Sequence, residues 1–351
     1  MIRASEPEPT TSAGMGVAQQ SHKPRASRRL DYYSAVPMPM QSGVDDPAYL
    51  TQPHSRPAVG RWLPRLKSQW SYLSSQKSFC SAPAATAIRL IFWCIRCLLG
   101  WPATVTLPPW NIKMFLPANW RGIEKLIYAF GPHYEPELAY LKRVLAPGSV
   151  FVDAGACYGI YTLAASAIVG RRGRVIAFEP AARAFVVLQH NLELNGVTNV
   201  RPYPAALTEK QSRTWLYRHP NVGCDSLGRD GSFTDYGEEV ATESLDGVLR
   251  QLPTRSVDVM KLDVQGAEEL ILRGALATLR AHHPVVIFEV YPEGTIPLGL
   301  APYGAWQLLG ELGYQFFVVE DDETLTRVES PPVNRNVVAV YQQPETSVRK
   351  L

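Results

Sequence analysis

One stretch constrains the fold of this chain more than any other: Val150-Phe-Val-Asp-Ala-Gly-Ala-Cys-Tyr-Gly-Ile160. An apolar run ends in an acid, passes through a turn of small residues and opens into a helix-like segment. That is how a parallel strand presents a ligand site at its carboxyl end. Further apolar runs at 175–178, 257–262 and 285–290 repeat the strand-like pattern, with helix-like segments between them. Strands alternating with helices predict an α/β domain built on a parallel sheet. Leu163–Val169 and Phe185–Leu194 read as crossover helices, the second stopping at Asn195-Gly196. Tyr303–Leu312 reads as another helix, ending at Gly313, and Tyr314–Val319 with Asn336–Tyr341 as a terminal hairpin.

Three ligands compete for the turn. A dinucleotide site wants glycine at three places, which here hold Gly155, Cys157 and Ile160, so two of the three fail. A phosphate-binding P-loop wants a Gly-Lys-Ser/Thr ending, and none follows. The acid-x-Gly-x-x-x-Gly turn of class I methyltransferases fits Asp153, Gly155 and Gly159. Arg174-Val-Ile-Ala-Phe-Glu-Pro180 then reads as a second buried strand ending in Glu179, about twenty residues on, where a carboxylate accepts both hydroxyls of a ribose. The alternative for Glu179 is an acid favoured at a helix start beside Pro180.

Further blocks follow in order. Asp153–Thr162 and Ala177–Pro180 are succeeded by Leu188-Gln-His-Asn-Leu-Glu-Leu-Asn195, Glu243-Ser-Leu-Asp246 and Asp258-Val-Met-Lys-Leu-Asp-Val-Gln-Gly-Ala-Glu268. Leu272-Arg-Gly-Ala275 and Phe288-Glu-Val290 close the set. From about Pro132 to Tyr341 the chain resembles the FkbM-type methyltransferases. The resemblance implies a class I fold, Rossmann-like, with a seven-stranded mainly parallel sheet and helices on both faces. It implies S-adenosylmethionine as cofactor and O-methylation of a hydroxyl on a sugar, polyketide or other small-molecule or glycan acceptor. This chain departs from the family at Cys157, where Asn is usual, and at Gln265, where Glu is usual. Those departures motivate the alternative of a catalytically impaired S-adenosyl-binding or interaction protein.

The expected cofactor residues are Asp153, Gly155, Ala156, Cys157, Gly159, Glu179 and Pro180. Asp263, at the end of its strand, is expected to orient the acceptor or take its proton, with capping of a Gln265–Leu272 helix as the alternative. Lys261 lies two residues earlier on the same strand face, placed to pair with Asp263 or touch substrate. Glu268 reads as a surface acid, and Glu289 ends the next strand facing the same cleft. His190, His282 and His283 show no ligand spacing and read as surface residues, and no metal site is expected. The polar segment Arg218–Glu239, rich in Gly and Asp, is expected to lie over the carboxyl ends of the strands.

The chain before this domain differs in kind. Through Ala85 it is rich in Ser, Pro and Gln, with ten Lys/Arg against five Asp/Glu, a balance of +5 against +3 for the whole chain. Residues 1–85 therefore read as a basic disordered extension. No basic patch interleaved with aromatics is present, so nucleic acid is not an expected partner. Residues 86–131 read as an accessory amphipathic helical segment, 132–342 as the methyltransferase domain and 343–351 as a tail. Within 87–100 an apolar run carries Arg89 and Arg96 on one helical face and is too short to span a bilayer. It reads either as an accessory helix packed on the domain or as a peripheral membrane contact. Cys94-Ile-Arg-Cys97 has redox spacing but no second pair, and reads as packing. Five cysteines behind a polar, acidic first stretch (Glu6, Glu8) point to the cytoplasm.

Overall fold

The computed structural model describes residues 83–342 apart from 121, 134, 230, 235, 254, 255 and 321. The readings for the extension through residue 82 and for the tail from 343 lie outside the described residues. Helix α1 (Pro83–Leu99) leads into a hairpin of β1 (Ala103–Leu107) and β2 (Ile112–Leu116), then α2 (Ile123–Phe130) and α3 (Pro136–Val144). The segment expected to be helical thus holds an antiparallel hairpin between two helices. The alternating units follow: β3 (Val150–Ala154), α4 (Ile160–Val169), β4 (Arg174–Phe178), α5 (Ala182–Leu194) and β5 (Val200–Tyr203). Next come β6 (Ala205–Leu207), β7 (Ser212–Tyr217), β8 (Gly237–Glu243), α6 (Leu245–Gln251) and β9 (Val259–Leu262). Helices α7 (Glu268–Arg273) and α8 (Leu276–His282) precede β10 (Val285–Val290), α9 (Pro292–Thr295) and α10 (Gly304–Glu311). Strands β11 (Tyr314–Val319), β12 (Leu325–Val328) and β13 (Arg335–Tyr341) end the order.

The main sheet runs β12-β11-β13-β10-β9-β3-β4-β5. The five strands from β10 to β5 are mutually parallel, and the β13, β11 and β12 pairings are antiparallel. This is the class I architecture, but with eight strands rather than the seven expected. The extra strand is β12, whose Leu325, Thr326 and Arg327 are exposed. Such a short edge lacks the apolar alternation by which sequence reveals a strand. It also separates β11 and β13 in sequence, so these pair as neighbours without forming a simple hairpin. The polar insertion conceals a second sheet, β6-β8-β7, likewise unexpected.

Each face of the sheet is sealed by its own core, because successive strand residues point to opposite sides. Phe151, Val175, Ala177 and Val259 pack with α1 to α5 and the β1–β2 hairpin. Val152, Ile176, Phe178, Met260 and Leu262 pack with α6, α7, α8 and α10. Strand order reverses at β3, where β4 lies on one side and β9 on the other. A crevice therefore opens beyond the carboxyl ends of β3 and β9, the usual ligand position in such sheets.

Candidate functional site

The turn from β3 to α4 forms one wall of that crevice. Gly155 has φ +80° and Gly159 φ +88°. A Cβ on Gly155 would stand 2.0 Å from the carbonyl oxygen of Asp263, and one on Gly159 would stand 2.5 Å from Leu188 Cδ1. Gly155 is thus required by close approach to the protein's own backbone, and Gly159 by its positive φ, its near neighbour being the movable end of a leucine. Asp153, fully inside the sheet, accepts a 2.5 Å hydrogen bond from Thr162 Oγ1 in the first turn of α4. Burial pushes its carboxyl up to about 6. The backbone amides of Gly155 and Ala156 both donate to the carbonyl of Phe178, binding the turn to the end of β4.

Glu179 stands beside this turn. Its Oε2 accepts from the Cys157 amide and its Oε1 from the Ala181 amide, both at 2.8 Å. The second contact, at the start of α5, is the helix-start role weighed for it, and each carboxyl oxygen takes one backbone amide. Burial raises this carboxyl to about 8. Cys157 adopts φ 49°, a region in which Asn is far commoner than Cys. Its thiol is buried and held protonated by that burial.

The crevice has two lobes. The first, a narrow cleft, runs from Glu179 and Pro180 across Phe178, Leu216 and Leu227 to Asp263. The second, of about 1250 Å³ and open to solvent, is lined by Lys125, Glu135, Asp153, Tyr161, Asn221, Lys261, Glu289 and Asn336 among others. Gly155, Cys157, Gly223 and Asp263 line both. The first lobe has an apolar floor and the Glu179 carboxyl at one end, and Gly155 packs its backbone directly on the Asp263 carbonyl. Six of the seven expected cofactor residues line one or both lobes. Gly159 does not, and its role is to take the positive φ of the turn.

Lys261 organises the second lobe. It is 1% exposed, and its Nζ donates to Asp263 Oδ2 at 3.2 Å and to Asn336 Oδ1 at 3.3 Å, while standing 5.2 Å from the centre of the Tyr161 ring. Burial alone would lower its pKa, but Asp263, Glu135, Glu289 and Glu137 together hold it above the ordinary lysine value. Gln265 sits at φ 57° and its Nε2 donates to Asp263 Oδ1 at 3.2 Å and Glu289 Oε2 at 3.1 Å. Burial, with Asp263 and Glu268 nearby, raises Glu289 to about 8. Glu135 Oε2 accepts from the Tyr161 hydroxyl at 2.5 Å, and burial beside Glu135 lifts Glu137 to about 7.

Several expectations change. Asp263 does not cap the following helix: α7 starts at Glu268, and the left-handed backbone at Gln265 and Gly266 precludes an earlier start. Glu268, the first residue of α7, instead braces the turn before the helix, its Oε1 accepting from the Val264 and Gly266 amides. It is buried, not a surface acid. His282 is exposed, but His190 packs edge-on against Phe115 and His283 stacks on Tyr341. Glu135, Tyr161 and Asn336 were not legible as site residues. Glu135-Pro136 reads only as a helix start, and Asn336 comes from a strand 75 residues after Lys261. The polar insertion does reach the crevice through Asn221–Leu227. Arg183 of α5 grips this loop through both oxygens of Asp225, at 2.7 and 2.9 Å. Among the described residues no group of three or more His, Cys, Asp or Glu is arranged to hold a metal ion.

Residues 153–316 match the model of the methyltransferase FkbM domain. Over these residues, just under half of the chain, the sequence is similar to FkbM-type methyltransferase domains. A curated relative, Methyltransferase 1 of Beauveria bassiana (strain ARSEF 2860), is 27% identical over 152 residues, which is 36% of this chain and 58% of that protein. Among solved structures, a methyltransferase FkbM from Methylobacillus flagellatus KT aligns at 15% identity and TM-score 0.38, covering 62% of this chain and 54% of the other. An S-adenosylmethionine-dependent O-methyltransferase from Thermotoga maritima aligns at 13% identity and TM-score 0.32, covering 60% and 66%. The FkbM match begins inside β3 and ends inside β11, so it contains the turn, Glu179, Lys261, Asp263 and Glu289. Glu135 and Asn336 lie outside it.

Proposed function

We propose that this FkbM domain transfers the methyl group of S-adenosylmethionine to a hydroxyl of a small-molecule or glycan acceptor in the cytoplasm. The observation that carries the reading is the meeting of the two lobes at Asp263, with a buried lysine on one side of its carboxylate and Glu289 one amide away. Glu179 and Pro180 would hold the ribose end of the cofactor, and Gly155, Ala156 and Cys157 its central part, with Asp153 fixing the turn through Thr162. The bound cofactor supplies an electrophilic methyl group.

Transfer to oxygen forms a C–O bond as a C–S bond breaks, and the acceptor hydroxyl must give up its proton. Asp263, fixed by Lys261 and Gln265, is suited to orient that hydroxyl. Glu289, raised to about 8, is suited to receive the proton near neutral pH. Orientation supplies much of the rate in an in-line displacement. Asn221, Gln265 and Asn336 line the second lobe with neutral donors and acceptors, matching a polyhydroxyl acceptor. The unpaired thiols of Cys94, Cys97, Cys157 and Cys224 fit a reducing compartment.

Calorimetric titration with S-adenosylmethionine and separately with NAD, followed by an acceptor screen, tests the reading. Saturable binding of the first alone is expected. Asp263→Ala should keep cofactor affinity and lower kcat by roughly 10²–10⁴, whereas full turnover in that variant would remove Asp263 from the chemistry. Gln265 favours one second reading, an S-adenosyl-binding interaction protein, since an amide occupies both carboxylates that would otherwise meet the acceptor. Cofactor binding without turnover on any hydroxyl acceptor, unchanged by Gln265→Glu, would favour it.

A further inference from the structure

Helix α1 is built inside out for a helix in contact with water. Thr86, Trp93 and Cys97 form its buried stripe, and Trp93 Nε1 donates to the Asn119 carbonyl at 2.9 Å while its ring lies 5.1 Å from that of Tyr128 in α2. The two arginines flank this stripe and turn back to the protein: Arg89 donates to the Ala129 carbonyl and Arg96 to that of Pro102. The outward face holds Ile88, Ile91, Phe92, Ile95, Leu98 and Leu99, with Trp101 just beyond. Phe92 is 55% exposed, Ile91 59% and Leu98 65%. A surface helix ordinarily turns its polar face outward, and a contiguous apolar patch of this kind marks a contact surface.

Charge indicates what makes the contact. From Pro47 to Ile123 the sequence holds nine Lys/Arg and no Asp or Glu. Five of those nine, Arg56, Arg61, Arg65, Lys67 and Lys77, fall in the sequence before α1. A second copy of this chain would bring the same positive charge to the contact and repel it. An anionic lipid surface attracts that charge and accepts the apolar face at once, which are the two terms that hold amphipathic helices at a bilayer. Among the described residues no helix is long and apolar enough to cross a membrane.

We infer that α1 docks flat on an anionic bilayer through Ile88, Ile91, Phe92, Ile95, Leu98 and Leu99, with the preceding basic residues adding attraction. Docked in this way, α2 lies one helix diameter from lipid, about 10 Å, and its Ile123, Lys125 and Leu126 line the second lobe. The inference is independent of the chemistry proposed above, because its readout is binding and not turnover.

The test is flotation of the full chain with vesicles of phosphatidylcholine containing about a third phosphatidylserine, and with pure phosphatidylcholine. The wild type should float with the anionic vesicles, less so in high salt and at least about fivefold less with the neutral ones. Ile91→Glu with Phe92→Glu, both at exposed positions, should reduce flotation at least about tenfold while leaving the melting temperature and cofactor binding unchanged. Failure of the wild type to float, equal flotation with neutral lipid, or flotation of the double variant at the wild-type level would overturn the inference. So would a wild-type dimer in lipid-free sedimentation that becomes a monomer in the double variant, since that would make the face a self-contact.

Discussion

The junctions after β3 and after β9 are near-copies in backbone and opposites in chemistry. Each ends its strand near an acid (Asp153, Asp263), places a non-glycine residue at positive φ (Cys157, Gln265) and enters a helix within a few residues. They also touch, since the Cβ missing from Gly155 would lie on the Asp263 carbonyl. The first junction is tied mainly by hydrogen bonds, Thr162 to Asp153 and the Cys157 amide to Glu179, with Lys261 acting on Asp153 only at longer range. The second is held by charge, with Lys261 facing Asp263, Glu135, Glu137 and Glu289. In the proposed function the first junction is a binding wall, which needs a fixed shape, and the second a reacting wall, which needs groups that exchange protons; buried carboxylates around one cation supply them.

Removing the cation should break this contrast most severely. Lys261→Met leaves several acids in the second lobe without their counter-charge, and a loss of about 3–5 kcal/mol in unfolding free energy is expected, read by denaturant titration. Unchanged stability would mean that the junction is not charge-held. Gly155→Ala presses the two junctions apart and strains a left-handed residue, at about 3 kcal/mol. It should lower thermal stability and cofactor affinity together, and a loss of only one would separate the walls.

A pH series sharpens the comparison. Glu179 is raised to about 8 in the folded chain against about 4.3 when unfolded. Between those values the folded state keeps a proton that the unfolded state has released. The stability from this group is therefore complete below about 4.3 and lost as pH rises through about 8. Unfolding free energy of the cofactor-free protein should fall between about pH 5 and 8, and Glu179→Gln should flatten that fall by up to about 1.4 kcal/mol per pH unit. The smallest effect is expected for Cys157→Asn, a gain of about 0.5 kcal/mol with cofactor affinity unchanged. A large gain in turnover would instead show that the thiol obstructs the site.

The same pair of junctions shows what sequence reveals. Asp153, Gly155 and Glu179 were legible because a short contiguous motif and a fixed separation to the next strand carry them. Lys261 and Asp263 were legible because strand alternation puts residues two apart on one side. The partners of Lys261 were not, since Glu135 comes from the start of α3, Tyr161 from α4 and Asn336 from β13. Only the closing of the sheet brings these together. The three-stranded sheet was hidden for a different reason: β7 and β8 expose much of their surface and lack an apolar period. The helical reading of residues 86–131 missed the hairpin, which Asn191 and Asn195 hold through paired side-chain and backbone bonds to Phe115 and Lys113.

That last arrangement bears on how the gene can be trimmed. Asn191 bonds both to Phe115 of the hairpin and, through Nδ2, to the Tyr158 carbonyl inside the β3–α4 turn at 2.9 Å. A shortened polypeptide beginning at residue 132 would keep every residue matched by the FkbM family yet leave this amide facing solvent on one side. The smallest autonomous version of the fold therefore reaches back across β2, β1 and the Trp93 helix, and expression trials are best begun upstream of residue 83.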